Sequence, residues 1–114
     1  MALVGEPYWR REPEDEATLA GCHATSVEDF RTLPGLVGLF GELGWDLVEM
    51  VLADQDSWDR YVAAQWWNLR AWLDANPGDE LAAEVRDELD RAPLQHVTYQ
   101  REFLGWGAFA LIRR

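Results

Sequence analysis

The strongest candidates for binding chemistry form one short segment, Glu6-Pro7-Tyr8-Trp9. It follows an apolar run at residues 2–5, which is typical of a buried strand, and Pro7 is expected to end that strand. Open α/β sheets bind ligands beyond the carboxyl ends of their parallel strands. We therefore expect Tyr8 and Trp9 to form an apolar wall and Glu6 to accept a hydrogen bond or a proton. The alternative is that both rings only cover the sheet and Glu6 is solvated.

A second group of candidates consists of aromatic residues in the stretch after Asp54. Trp58, Tyr61 and Trp66 share one face of the predicted helix. At about 100° per residue, Trp67 points to the opposite side and marks a second apolar face. Ordinary helix–helix packing against residues 79–91 explains both faces.

The remaining patterns give no site of a known kind. Four glycines recur every third residue, but their spacing is that of neither dinucleotide-binding nor phosphate-binding loops, so we assign them to close helix packing. Cys22-His23 and the isolated His96 are interpreted as structural. No Ser/His/Asp set, paired-carboxylate motif or zinc-ligand spacing is found, so the catalytic residues stay unknown and no metal site is predicted. The four glycines are Gly35, Gly38, Gly41 and Gly44.

The composition is that of a folded, acidic chain. Of its 114 residues, 48% are hydrophobic and seven are tryptophan, which require a large apolar volume or a partner that covers them. The net charge of −11 argues against nucleic-acid and membrane partners. Cys22 is the single cysteine and excludes an internal disulfide. We find neither a basic leader nor an apolar stretch of about 18 residues, and expect a cytoplasmic protein.

Hydrophobic periodicity predicts three strands and three to four helices, hence an α/β fold. Residues 10–24 are predicted to be loop with a possible helical turn, and Thr25 with Glu28 offers a capping box. Asp79 is predicted to cap the helix over 79–91, and Pro93 to interrupt the helical stretch. The predicted strands are residues 2–5, 47–52 and 104–112. The predicted helices are residues 33–43, a helix that begins at Asp54 or Asp56 and ends at about residue 75, residues 79–91, and a further helical stretch from Pro93 to about Glu102.

The order and spacing of three segments resemble a class I S-adenosylmethionine-dependent methyltransferase. GEPYWRREP is similar to the segment after the fifth strand of that family, and YQREFLGWGAFALIRR to the last strand of its sheet. Between them, LPGLVGLFGELGWDLVEMVLADQDSWDRY is similar to the helix and sixth strand. The resemblance implies a carboxyl-terminal fragment of a Rossmann-like fold, with the last strand antiparallel and central. It also implies one partial domain over residues 1–114, with residues 54–102 as a helical insertion between the last two strands.

The same resemblance sets the functional expectations. The glycine-rich loop and acidic residue that hold S-adenosylmethionine in this family would precede the first residue, so no cofactor binding is expected of this chain alone. The chain is expected to supply the acceptor-side surface for a small molecule. In that family such helical insertions lie over the substrate pocket, which implies that Trp58, Tyr61, Trp66 or Trp67 contacts the acceptor; the alternative is helix–helix packing. The predicted substrate-binding residues are Glu6, Tyr8, Trp9, Trp58, Tyr61 and Trp67. The alternative function is a non-catalytic interaction module. We expect self-association or pairing with the missing amino-terminal half, through the exposed edge of the first strand, the long helix that carries Trp67, or both.

Overall fold

The computed structural model describes residues 1–114 and contains one sheet with helices between its strands. A short 3₁₀ helix, Val27–Asp29, precedes the helix Leu33–Glu42, and a π-helical turn, His96–Gln100, follows the helix Ala82–Gln95. That turn leads from this helix into a last α-helical turn, Arg101–Phe103, so the chain has four α-helical units in addition to the 3₁₀ helix. The elements are β1 (Ala2–Trp9), α1 (Glu16–Gly21), α2 (Leu33–Glu42), β2 (Trp45–Leu52), α3 (Gln55–Ala75), α4 (Ala82–Gln95) and β3 (Leu104–Arg113).

The sheet has the order β1-β3-β2, and β3 is antiparallel to both neighbours. In the register, Trp9 lies opposite Leu104, and Leu52 lies opposite Gly107. The predicted central, antiparallel last strand is confirmed. Its apolar run is explained by this position, because β3 is the strand that has a neighbour on each side.

The prediction that Pro7 ends the first strand is wrong, because β1 continues through Pro7 to Trp9. The Trp9 N–H points to the outer edge of the sheet, where it donates to the Arg31 carbonyl at 2.8 Å. Pro7 has the same parity as Trp9, so the N–H that proline lacks would also have pointed outward. An edge strand tolerates proline at such a position, because no ladder hydrogen bond is lost.

Helix α2 forms as its periodicity predicts. The Thr32 side chain accepts a hydrogen bond from the Gly35 N–H at 3.2 Å and caps the start of the helix. Gly44, directly after the helix, has a φ of +85°, which glycine adopts readily. Leu36 and Phe40 on the inner face are buried against Tyr8, Phe109 and Leu111 and form the main core.

Three predicted helix boundaries differ from the structure. The capping box is one residue later than predicted, because Ser26 is the N-cap and Asp29 returns the hydrogen bond to the backbone. Asp79 accepts from the Leu81 N–H in a turn, and α4 begins only at Ala82. Pro93 does not break the helix: α4 passes through it, and the widened π-helical turn follows three residues later.

A second helical layer is not supplied by this chain. Phe109 and Leu111 of β3 face α2. On the opposite face, Trp9 and Leu104 at one end of the sheet are buried against Cys22 and Ala24, whereas the large side chains farther along are exposed. No helix is both long and apolar enough to cross a membrane. The large exposed side chains of this sheet face are Leu3, Val48, Val51, Trp106 and Ile112.

Candidate functional site

The candidate site lies where β1 and β2 end and β3 begins. Because β3 is antiparallel to both neighbours, the residues that follow β1 and β2 meet the start of β3 at one end of the sheet. The Arg10 N–H donates to the Phe103 carbonyl at 2.7 Å, and the Ala53 N–H donates to the Trp106 carbonyl at 2.9 Å. These bonds fix the two segments that leave the sheet, and the start of α3 follows directly.

Three adjoining cavities open at this end. The basic cavity, of about 450 Å³, is lined by Arg10, Arg11, Gln55, Val97, Arg101 and Glu102. The aromatic cavity, of about 330 Å³, is lined by Trp58, Tyr61 and Trp106 together with Ala53 and Ser57. The middle cavity, of about 280 Å³, shares Arg10 and Gln55 with the first and Ala53 and Trp58 with the second. The basic and aromatic cavities have the size of small-molecule pockets, and the middle cavity connects them.

The carbonyl oxygen of Arg101 organises the basic cavity. It accepts hydrogen bonds from Arg10 Nη1 at 2.8 Å and from Gln55 Nε2 at 2.9 Å. Arg10 and Gln55 come from different segments, after β1 and at the start of α3. This shared acceptor therefore ties the end of β1 to α3 and holds the Arg10 guanidinium at the cavity wall.

A polar network that includes the buried His96 fixes Arg101 in turn. Asp59 on α3 accepts from Arg101 Nε at 3.1 Å and from His96 Nε2 at 2.8 Å. The His96 hydrogen bond, supported by Arg101, lowers the pKa of Asp59 from its ordinary value against the opposing effect of burial. His96 is almost fully buried, and its ring packs beside those of Trp58 and Trp66.

The remaining charged groups at the site are mostly neutralised. Arg11 pairs with Glu102. In the middle cavity, Asp54 caps α3 by accepting from the Ser57 N–H at 2.7 Å, which lowers the pKa of its carboxyl group. Arg10 has no carboxylate within ion-pair distance. Nowhere do three or more His, Cys, Asp or Glu side chains cluster as metal ligands would.

The structure brings some of the predicted substrate-binding residues together. Tyr8 lines the middle cavity, and its ring lies over Gly105; Trp58 and Tyr61 line the aromatic cavity. Trp9 is buried with its indole N–H donating to the Val27 carbonyl at 2.8 Å, and its side chain reaches a further cavity beside α2.

Two predicted residues lie apart from these cavities. Glu6 lies within β1, opposite Gly107, and Trp67 is 79% exposed on α3. Trp66, the fourth aromatic residue of α3, contacts His96 instead of a cavity. The periodicity of α3 already placed Trp67 on the opposite side from Trp58 and Tyr61. The position of Glu6, in contrast, depends on how far β1 extends.

Sequence reasoning missed the polar half of the site. Arg10 and Arg11 had a signal, since they follow the candidate strand end directly. Arg101 and its partner Asp59 lie in segments that carry the family resemblance, but they are 42 residues apart and nothing in the sequence indicates that they pair. His96 was interpreted as structural, and its partner is brought to it only by the packing of α3 against the turn after α4.

Comparison with known proteins identifies the fold. No family model matches the chain. It is 61% identical over 114 residues to YjhP of Escherichia coli (strain K12), covering all of this chain and 46% of YjhP. The crystal structure of a SAM-dependent methyltransferase from Geobacter sulfurreducens, in complex with S-adenosyl-L-homocysteine, matches 98% of this chain with a TM-score of 0.91 and 58% identity. A second such complex, from Thiobacillus denitrificans, gives a TM-score of 0.90 at 57% identity.

The chain corresponds to a carboxyl-terminal part of a SAM-dependent methyltransferase. It covers 45% of each of the two methyltransferase chains, so it spans less than half the length of the relatives it matches. The family resemblance and the α/β fold class predicted from the sequence are confirmed. The division into one partial domain with a helical insertion over 54–102 stays a prediction.

Proposed function

We propose that this chain forms the acceptor side of a SAM-dependent methyltransferase, the part that holds the small molecule to be methylated. The similarity to two methyltransferases crystallised with S-adenosyl-L-homocysteine carries the proposal. The cavities beyond β1 and β2 support it, because open α/β sheets bind ligands at this end of their strands. Tyr8, Trp58 and Tyr61 are the proposed acceptor contacts, with Trp9 behind them; Glu6 and Trp67 have no place in these cavities.

The cofactor does not fit the residues of this chain. β1 is followed by the charged residues 10–15, and β2 by Ala53 and Asp54, so neither strand leads through a glycine-rich loop into a helix. We propose that S-adenosylmethionine is held by the part of the enzyme that this chain does not include. What this chain contributes is positioning, which in group transfer accounts for a large share of the rate.

A chimera tests the proposal. This chain replaces the matching carboxyl-terminal part of the Geobacter sulfurreducens enzyme, and S-adenosyl-L-homocysteine binding is measured by titration calorimetry. We expect the chimera to bind within about tenfold of the parent enzyme, a change of about 1.4 kcal/mol. This chain alone is the control, and we expect it to show no micromolar binding. A folded chimera that does not bind, or tight binding by the chain alone, contradicts the proposal.

The exposed sheet face favours a second candidate function, an interaction module. Leu3, Val51 and Ile112 expose apolar surface on that face, and the outer edge of β1 is bonded only near Trp9. Unpaired strand edges and apolar patches both favour association. We propose that this surface pairs with the remainder of the enzyme or, in the free chain, with a second copy.

Sedimentation velocity tests this association. We expect the free chain to form a dimer or a larger species at micromolar concentration, since salt at about 0.15 M screens the repulsion between negatively charged chains. Leu3→Lys together with Val51→Lys is expected to shift the species towards the 13.1 kDa monomer. Lysines at the exposed Leu81 and Leu94 of the α3–α4 hairpin are the matched control. A clean monomer of the parent chain at high concentration contradicts the association.

A further inference from the structure

We propose that the acceptor carries an anionic group, a carboxylate or a phosphate, bound at Arg10 in the basic cavity, and an aromatic body held in the aromatic cavity. This inference rests on the proposed function and deepens it by giving the chemical class of the acceptor.

The first argument is the charge of the basic cavity. The chain has 21 acidic and 10 basic residues, yet three of its arginines and one acidic residue line this cavity. Glu102 is paired with Arg11, and Arg101 is paired with Asp59. Arg10 keeps an uncompensated positive charge. In a chain that is acidic overall, a local excess of this kind favours an anion at this position.

The second argument is the fixed orientation of Arg10. One of its five N–H donors is used by the Arg101 carbonyl, and the others have no acceptor within the chain. A guanidinium held at one end presents the remaining donors as a planar fork, which matches two oxygens of a carboxylate or phosphate. The Asp59–Arg101 ion pair holds the carbonyl that orients it.

The third argument is continuity with the aromatic cavity. The middle cavity is lined by both Arg10 and Trp58, so one ligand can reach the guanidinium and the aromatic walls together. Tyr61 and Trp106 expose 70% and 45% of their surface, respectively, although both are large and apolar. Aromatic rings exposed in a concave site favour a flat, apolar group that stacks on them. The geometry therefore fits a ligand with one anionic end and one aromatic end.

The experiment titrates four probes into the chain and follows tryptophan fluorescence and indole NMR signals. The probes are benzoate, phenyl phosphate, inorganic phosphate and neutral benzyl alcohol. We expect benzoate or phenyl phosphate to bind at least about tenfold more tightly than benzyl alcohol and inorganic phosphate. The tighter of the two arylated anions distinguishes a carboxylate acceptor from a phosphate acceptor. Equal binding of benzyl alcohol, or inorganic phosphate binding as tightly as phenyl phosphate, overturns the proposal.

Arg10→Gln is the test variant, and Arg113→Gln is the matched control. Arg113 also lacks an ion pair, but it lies at the far end of β3 over the Trp45 ring. We expect Arg10→Gln to weaken the tighter probe at least about tenfold and Arg113→Gln to change it less than about twofold, with unchanged circular dichroism for both. Equal effects of the two variants would show that only net charge matters and overturn the inference.

These results separate the inference from the proposed function. If the chimera binds S-adenosyl-L-homocysteine but no arylated anion binds the chain, the anionic acceptor is wrong and the methyltransferase role stands. If the probes bind through Arg10 but the chimera does not bind, the site stands and the methyltransferase role is wrong.

Discussion

The contact between Gly105 and Tyr8 offers the sharpest test of how the sheet shapes the site. Gly105 lies in β3 opposite Tyr8 of β1, and both residues line the middle cavity. A Cβ added at Gly105 would lie 2.5 Å from Tyr8 Oη and 2.6 Å from its Cε2, far inside van der Waals contact. The glycine is therefore required because the tyrosine ring occupies the space that a side chain would take.

Gly105→Ala is expected to lower the free energy of unfolding by about 1–3 kcal/mol, the usual cost of overpacking a filled site. Tyr8 is only 7% exposed and packs against α2, so its ring cannot turn out into solvent without leaving the core. Gly38→Ala is the matched control, since no heavy atom lies within 4 Å of the added Cβ on α2. There the change should stabilise the chain by roughly 0.5–1 kcal/mol, because alanine is the better helix former.

Urea denaturation followed by circular dichroism measures both variants. A double-mutant cycle with Tyr8→Ala identifies the cause: without the ring, Gly105→Ala should cost at least about 1 kcal/mol less than it does in the parent. If Gly105→Ala costs the same in both backgrounds, the tyrosine is not what excludes a side chain, and the reasoning fails. If Gly105→Ala is as harmless as Gly38→Ala, the packing described for the middle cavity is wrong.

Three further predictions concern the core and the titrating groups. Phe109→Asp, which buries a charge against α2, should destabilise the chain by several kcal/mol, whereas Ile112→Asp on the exposed sheet face should cost less than about 1 kcal/mol in urea denaturation. Cys22 is buried and its pKa is raised to about 11, so a thiol-specific dye at pH 8 should label it only after unfolding; rapid labelling of the native chain would contradict the burial. The folded pKa of Asp59 is lowered, so its contribution to stability is present above the unfolded value of 3.8 and lost as the pH falls through the folded value. Asp59→Asn should therefore reduce the loss of stability measured between about pH 5 and pH 2, and an unchanged pH profile would exclude this role.

Strands and helices were largely predictable from the residues because local periodicity encodes them. The stripe of α2 and the continuous apolar run of β3 identified both elements, and Asp54, one of the two predicted caps, is the N-cap of α3. Boundaries that depend on neighbours were not predictable in the same way. Pro7 is tolerated only because its nitrogen faces an open edge, which depends on which strand lies beside β1.

The aromatic half of the candidate site was predicted, and the basic half was not. Trp58 and Tyr61 share a helical face, a property that a single element carries by itself. Arg10 and Arg101 meet only because β3 returns antiparallel beside β1, 91 residues later in the chain. A hydrogen bond between a side chain and a distant carbonyl leaves no periodic trace in the sequence.

The sequence by itself determined the α/β class, the central last strand and the acidic character of this protein, because each follows from local pattern or composition. Only the tertiary structure decided that the arginines gather at one end of the sheet and that the opposite sheet face is left uncovered. The contribution of these arginines and of this apolar surface to function depends on their positions in the folded chain. That arrangement is set by the pairing of strands that are distant in sequence. The entropy cost of closing the long loop between them is small enough to permit this pairing, but local residue preferences do not determine which strands pair.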